Sequence, residues 1–411
     1  MRIEIISIGS ELLTPQAKES NSLFLIKELN KLGFRVNTKS IVEDKAATLE
    51  KILTDSISRA NIMFATGGLG PTVDDVTVRA VSKVLGRKMV LNETWLSKIE
   101  EKFACRGMEM PLNNRKQALI PLGAKILKNK LGTAPGLCLN KGSCQIFLLP
   151  GVPSEMRQIF QDYVQPVLKK LSRGRICRTK IYKIANLTES EVDWRVRELS
   201  KKYKEKVILL AYPGQIEVVF QAEAQSPQRA DREVMQFGRL LRRQLADNIF
   251  GTNGDSLEGI VGRLLKKKKA TLAIAESCTG GLIASRITDV AGSSEYFERA
   301  VVAYSNRTKT ELLGVKSDLI ERFGAVSSEV AQSMAVGVKE RSAVDFGLAV
   351  TGIAGPSGGS KEKPVGLVFL ALASSKGVVV KRNLFSGDRE RIKFYSSQAA
   401  LDLLRRELIK S

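Results

Sequence analysis

Apolar residues along this 411-residue chain recur with two periods, of about 2 and about 3.6, and the alternation of those periods divides it into three segments. In the first, residues 3–8 form a short apolar run that stops at Gly9, the pattern of a buried strand. Residues 17–32 place Leu25, Leu29 and Leu32 on one helical face and end at Gly33. A strand at 34–42, a helix at 47–60 with Leu49, Ile52, Leu53 and Ile57 inward, and a strand at 61–66 follow. That third strand runs into Gly67-Gly68-Leu69-Gly70-Pro71, and a helix is predicted over 74–85, stopped by Gly86. Strand–helix alternation with right-handed crossovers predicts a parallel, doubly wound sheet over 1–170. Ligands of such sheets gather beyond the strand C-termini, here at loops 9–13 and 67–75.

The pattern changes near residue 172. A basic stretch at 173–178, strands at 180–184, 207–211 and 216–222, a helix opened by Thr188-Glu189-Ser190-Glu191 and a helix at 226–246 make a small α+β unit over 171–252. Asn253-Gly254-Asp255-Ser256 then punctuates the chain, with Ser256 as a helix N-cap. The last segment, 253–411, has strands at 271–275, 299–304, 346–351 and 365–373 separated by glycine-marked turns and amphipathic helices. The predicted architecture is two three-layer α/β domains, 1–170 and 253–411, joined by the small α+β domain 171–252.

Composition narrows the class. With 43% apolar and 26% charged residues the chain is globular, and no apolar run approaches the roughly 18 residues of a membrane span. The N-terminus reads as a strand and not as a signal peptide, which points to the cytoplasm, and five cysteines without a CxxC pair are expected as reduced thiols. The net charge of +22 suits an anionic partner, whether nucleic acid, acidic lipid or a phosphorylated small molecule. The basic residues are dispersed, however, and the one run, Lys266 to Lys269, closes a helical segment where cations complement the C-terminal dipole. With 6% aromatic residues, single-strand stacking is poorly supported, so nucleic acid is disfavoured. Histidine is absent. Any nucleophile must therefore be activated by Lys, Tyr or a carboxylate, and any metal held mainly by oxygen ligands.

Four polar loops at predicted strand ends in the last segment, three of them containing glycine, form a site pattern. Glu276-Ser277-Cys278-Thr279-Gly280-Gly281 lies between a strand and a helix predicted at 282–288; the turn reads either as an anion-binding helix N-terminus or as an ordinary Ser/Thr cap. Tyr304-Ser305-Asn306-Arg307-Thr308-Lys309 ends the next strand, Thr351-Gly352-Ile353-Ala354-Gly355-Pro356 the third, and Phe385-Ser386-Gly387-Asp388-Arg389 follows the fourth. Without histidine, Ser277 needs another base, and Lys309 with a pKa lowered by burial is the natural one, with Tyr304 relaying or orienting. Cys278 is a rival nucleophile that, lacking a His partner, is expected to face the core.

On AESCTGG (275–281), AGSSEYFERAVVAYSN (291–306), GAVSSEVAQSMA (324–335), VTGIAGPSGGSKEKPVG (350–366) and FSGDR (385–389), this segment resembles the C-terminal domain of the CinA (competence/damage-inducible) family, which is similar to stand-alone nicotinamide mononucleotide deamidases. The resemblance implies hydrolysis of the nicotinamide amide to nicotinic acid mononucleotide and ammonia, without a cofactor. It also implies Ser277 as nucleophile, Lys309 as base and Tyr304 as assistant. Thr351, Gly352 and Arg389 would bind or polarise substrate, Thr279, Gly280 and Gly281 would contact phosphate, and Ser294 falls in a matched stretch.

In the first segment, the glycines of 67–70 permit close backbone approach to phosphate, and Asp74 and Asp75 either hold a divalent metal or cap the following helix. The string TGGLGPTVDDVT (66–77) resembles the MoaB/MogA-like fold of molybdopterin-binding proteins and, with IGSELLTP (8–15), NNRKQALIP (113–121) and LPGVPSEM (149–156), the N-terminal domain of CinA. That domain is associated with metal-dependent ADP-ribose pyrophosphatase activity. The likeness implies a divalent metal, Mg or Co, in this domain only, with Glu11, Asn21, Asp74 and Asp75 as metal or substrate residues, Gly67, Gly68 and Gly70 against substrate, and Asn114 and Glu155 as weaker candidates. Ser10 and Pro15 depart from the family pattern, and Pro15 lacks a backbone N–H. MoaB-like domains commonly pack into oligomers, so a homodimer is expected by analogy. The alternative from another class is a pterin- or nucleotide-binding or DNA-associated competence protein without catalysis.

Overall fold

The computed structural model describes residues 1–204 and 206–410. Their contacts fall into two compact units. Met1–Arg178 joins Ala222–Arg232 in one, and Thr179–Gln221 joins the chain from Glu233 onward in the other.

In the first unit, alternation within each strand sends successive side chains to opposite faces. Ile6, Met63, Ala65, Ile146 and Leu148 face one apolar layer and Ile5, Phe64, Phe147 and Leu149 the other. Helices Ala46–Arg59 and Thr77–Leu85 supply Leu49, Leu53 and Val81 to the first layer, while Asn21–Lys31 and Pro153–Ile159 supply Leu25, Leu29 and Met156 to the second. The strand order is Val36–Val42, Ile3–Ile8, Ile62–Thr66, Cys144–Leu149, Gly136–Lys141, Lys125–Leu127. Only the first four run parallel; Gly136–Lys141 pairs antiparallel with both neighbours. This corrects the expectation of a wholly parallel sheet. The two residues between Lys141 and Cys144 allow a hairpin but no crossover helix. The order reverses at Ile3–Ile8, so loops 9–13 and 67–75 flank the crevice where such sheets bind ligands.

In the second unit the sheet order is Phe297–Val302, Leu272–Glu276, Phe346–Gly352, Leu367–Ser374, Gly377–Leu384. One face carries Leu272, Ile274, Leu348 and Val350 against helices Leu257–Lys268, Leu282–Thr288 and Arg389–Lys410. The other carries Ala273, Ala275, Ala349, Ala371 and Ala373 against Ser328–Ser342. Small residues there let the helix approach closely: a Cβ on Gly347 would lie 2.2 Å from the Ala335 carbonyl oxygen. The fifth strand, Gly377–Leu384, is absent from the sequence reading, which places loop 385–389 directly after 365–373. Its solvent-alternating pattern is short on apolar residues after Val380. The strand matters because Leu367–Ser374 runs antiparallel to its neighbours. A second reversal returns the chain, so residues 276, 302, 352 and 384 all end at one rim.

The small segment shares this second unit's core, since Ala185 and Phe250 pack with Leu257 and Val261. Thr188 and Glu191 form the expected capping box, and the Ser256 hydroxyl accepts the Gly259 N–H. Lys266 to Lys268 close their helix and Lys269 caps it.

Candidate functional site

At the rim of the second sheet, Ser277 follows the last residue of Leu272–Glu276, and its N–H donates to the Val350 carbonyl at 3.0 Å. The helix Asn306–Leu313, capped by the Ser305 hydroxyl, presents Lys309 inward. Lys309 is 1% exposed and Ser277 7%. Nζ lies 3.1 Å from Ser277 Oγ, 2.9 Å from the Ala303 carbonyl and 3.3 Å from that of Tyr304. Burial pushes the Lys309 ammonium below the usual lysine range, opposed by a smaller effect of the neighbouring Cys278. Cys278 is buried and its thiol is pushed up to about 12, mainly by desolvation.

Arg389 opens the long C-terminal helix and spans the rim. It donates to the Gly355 carbonyl and to the Tyr304 hydroxyl, each at 2.7 Å. Tyr304 lies just outside its strand with its ring exposed. The Thr351 hydroxyl donates to the Ala325 carbonyl at 2.8 Å, and Gly352 packs against Val368. Ser294 does not join them: it is exposed beside the N-terminal end of Phe297–Val302, at the rim opposite Ser277 in this parallel pair.

The turn between Ser277 and the helix is organised by a residue to which the sequence reading gives no role. Glu276 is fully buried; its Oε2 accepts the N–H groups of Gly281 and Ile283 at 3.0 and 3.2 Å, and its Oε1 that of Ala284 at 2.8 Å. The Gly280 N–H donates to the Ser277 carbonyl. The protein's own Glu276 carboxylate thus takes the N–H groups of residues 281, 283 and 284 at this helix start, where the sequence pattern allows either an anion beside Thr279, Gly280 and Gly281 or an ordinary cap. Thr279 is fully buried and its hydroxyl has no hydrogen-bond partner among the described residues. Lys393, one turn beyond Arg389, places its ammonium 3.7 Å from where a Cβ on Gly280 would sit. The i, i+4 spacing from Arg389 was the signal for it.

The first unit holds a second candidate site. A cavity of about 100 Å³ is lined by Gly68, Gly70, Asp75, Arg79, Lys116 and Gln117 among apolar walls. Gly67 must lack a side chain, since its Cβ would fall 2.1 Å from the Ile8 carbonyl oxygen. The helix begins at Thr77, not at 74, because Asp75 accepts the Thr72 N–H and hydroxyl and closes a turn of its own. Lys116 donates to the Thr72 carbonyl, and burial, aided by Arg79 and opposed by Asp75 and Asp74, lowers its pKa. Asn21 is buried, its Nδ2 donates to the Gly151 carbonyl at 2.7 Å, and its Oδ1 has no partner among the described residues. Asn114 bonds Gln117, and Glu155 accepts from Asn129. Asp74 and Glu11 are exposed, Ser10 donates to Asp44, and Pro15 is exposed.

Among the described residues no three carboxylate or thiol groups are placed to share a metal ion. No helix among the described residues is long and apolar enough to cross a membrane.

Three family models match in succession: "Probable molybdopterin binding domain" over 4–170, "Damage-inducible protein CinA KH domain" over 179–251 and "CinA C-terminal domain" over 254–408. They define a MoaB-like α/β domain, a small α+β domain and an α/β domain bearing the Ser277–Lys309 pair. A "CinA-like protein" of Solibacter usitatus is 41% identical over 409 residues, covering 99% of this chain and 98% of its own. One of Koribacter versatilis is 43% identical over 415 residues, covering both chains completely. The crystal structure of competence/damage inducible protein CihA from Agrobacterium tumefaciens is 41% identical, with a TM-score of 0.36, and covers 37% of this chain and 95% of its own. The chain belongs to the CinA family.

Proposed function

We propose that the C-terminal domain hydrolyses the amide of nicotinamide mononucleotide to nicotinic acid mononucleotide and ammonia. The observation that carries this reading is the buried contact of 3.1 Å between Lys309 Nζ and Ser277 Oγ. A neutral lysine amine has two N–H groups and one lone pair. With the N–H groups held by the Ala303 and Tyr304 carbonyls, the lone pair faces the Ser277 hydroxyl. Lys309 takes the hydroxyl proton as Oγ bonds to the amide carbon, then returns it to the departing nitrogen, which leaves as ammonia. Water, deprotonated by the same amine, cleaves the ester and restores Ser277. Arg389 and Tyr304 form the mouth across which the substrate enters. The test is ammonia release from nicotinamide mononucleotide by the full chain, with loss in Ser277→Ala and Lys309→Met variants that stay folded. Wild-type turnover in both variants sinks the assignment.

A second reading concerns the N-terminal domain. Its small cavity, with Arg79 and Lys116 beside the Gly68–Gly70 loop, supports binding of a phosphate-bearing group and is consistent with cleavage of ADP-ribose. A divalent ion for that reaction would have to arrive with the substrate, as Mg²⁺ bound to phosphates does. Incubation with ADP-ribose, with and without Mg²⁺ or Co²⁺, decides it by product. The KH match and the net charge of +22 favour a nucleic-acid reading of the middle domain, but the GxxG clamp of nucleic-acid-binding KH domains is absent from 179–251. Binding that falls steeply with salt would revive it.

A further inference from the structure

We infer that Lys393, above Gly280, is the phosphate-reading residue of the amidase site, in place of the helix N-terminus that such turns ordinarily offer. The inference rests on the proposed mononucleotide substrate and adds the group that recognises its anionic end.

The argument begins with what is already occupied. A phosphate at a strand–helix turn is usually held by free backbone N–H groups and the positive helix end. Here Gly281, Ile283 and Ala284 donate to Glu276, and Gly280 donates to Ser277. A second anion at that end would meet a buried carboxylate with few donors left. Recognition must therefore come from a side-chain cation.

Most cations close to the rim are engaged. Lys309 is held by Ser277 and two carbonyls, and Arg286 by Glu258, Ser397 and Gln398. Arg389 is held by Gly355 and Tyr304. Lys393 is half-buried yet makes no ion pair or hydrogen bond among the described residues, and its ammonium lies 3.7 Å from the Cβ position of Gly280. A half-buried ammonium that no protein acceptor engages keeps its three N–H donors free for a ligand. Space for that ligand exists because residues 280 and 281 lack side chains. A Cβ on Gly280 would meet only the Lys393 ammonium, and one on Gly281 only Val302, at 3.7 Å. Lys393 also shares a helix face with Arg389, so one rigid helix presents the cation at the mouth and the cation over the glycines.

The test compares Lys393→Met with Lys393→Arg and with Lys376→Met, which removes the same charge from an exposed turn. Two readouts are used: kcat/KM for nicotinamide mononucleotide relative to nicotinamide riboside, and titration with ribose 5-phosphate, which needs no catalysis. Lys393→Met should lower the mononucleotide-to-riboside ratio by about 10- to 100-fold and weaken ribose 5-phosphate by a similar factor. Lys393→Arg should restore most of both, and Lys376→Met should change neither. A wild-type ratio in Lys393→Met, or ribose 5-phosphate binding that is absent or equal in wild type and variant, overturns the inference. Failure of the wild type to release ammonia sinks the proposed activity instead, while the ribose 5-phosphate titration still reads Lys393.

Discussion

Glu276→Gln is the perturbation that most directly tests how the Ser277 turn is built. The carboxylate accepts three backbone N–H groups, two on Oε2 and one on Oε1, in a fully buried position. A glutamine amide keeps an oxygen where Oε2 was and so keeps the bonds from Gly281 and Ile283. Its NH₂ then confronts the Ala284 N–H, donor against donor. The loss is one charge-assisted hydrogen bond and the favourable charge at a helix start, together about 2–4 kcal/mol. With an m-value of about 3 kcal/mol/M, the urea midpoint of the transition that includes this helix should fall by about 1 M. Hydrogen exchange over 277–290 should accelerate locally, since the capped amides are the ones released. Because Ser277 adjoins Glu276, a displacement of about 1 Å in Oγ should cost about 100-fold in ammonia release. Glu276→Ala should be worse on every measure. A Glu276→Gln variant with wild-type midpoint, exchange and turnover would refute the cap.

Turnover should rise with pH as Lys309 loses its proton, with a midpoint below the ordinary lysine value, because burial disfavours the ammonium. The linkage has the matching sign: between the lowered folded pKa and the unfolded one the unfolded chain binds more protons, so Lys309's contribution to stability rises with pH through that window and is lost below it. Urea midpoints of wild type and Lys309→Met across that range would show it, the variant lacking the slope. Cys278→Ala should retain turnover, and iodoacetamide should not inactivate, because the thiol is buried and held near 12; inactivation traced to Cys278 would reverse the choice of nucleophile. Asp402 is fully buried and accepts from Asn186, Arg405 and Arg406, while Arg405 also donates to the Asp247 carbonyl. Asp402→Ala should destabilise by about 3–5 kcal/mol through the uncompensated buried arginine, read as a lowered urea midpoint.

What the chain reveals in advance follows from which forces are local. Strands 3–8 and 61–66 and the Thr188 and Ser256 caps are set by neighbours within a few residues, and the structure places them within a residue or two. Gly377–Leu384 was hidden because an edge strand with polar residues at 381–383 carries little apolar alternation. The sequence puts the helix start three residues early because Asp75 has two local uses, a cap or a turn. Its contacts with Thr72, beside the Lys116 bond to the same loop, favour the turn. Glu276 carries no role in the sequence pattern beyond beginning the 276–281 turn. Its role depends on a fold that turns the following helix back onto it, which no spacing rule states.

The missing histidine gives the pH experiment its force. In most hydrolases a limb near neutrality has an imidazole as its ordinary suspect. Here no side chain titrates there unperturbed, so such a limb must belong to a displaced lysine, a displaced carboxylate or the substrate phosphate. Measurements on the proposed amidase site separate the phosphate from the side chains. Lys309→Met removes the limb along with the activity if the amine is the base. If the phosphate titration sets the limb, it should vanish with nicotinamide riboside and persist with the mononucleotide. A limb that survives with nicotinamide riboside and in Lys393→Met is not the phosphate's and belongs to a displaced side chain. Lys309, lowered by burial and held against Ser277 by the Ala303 and Tyr304 carbonyls, is the group the geometry puts forward, and a limb of unchanged midpoint in a weakly active Lys309 variant would point to a carboxylate instead.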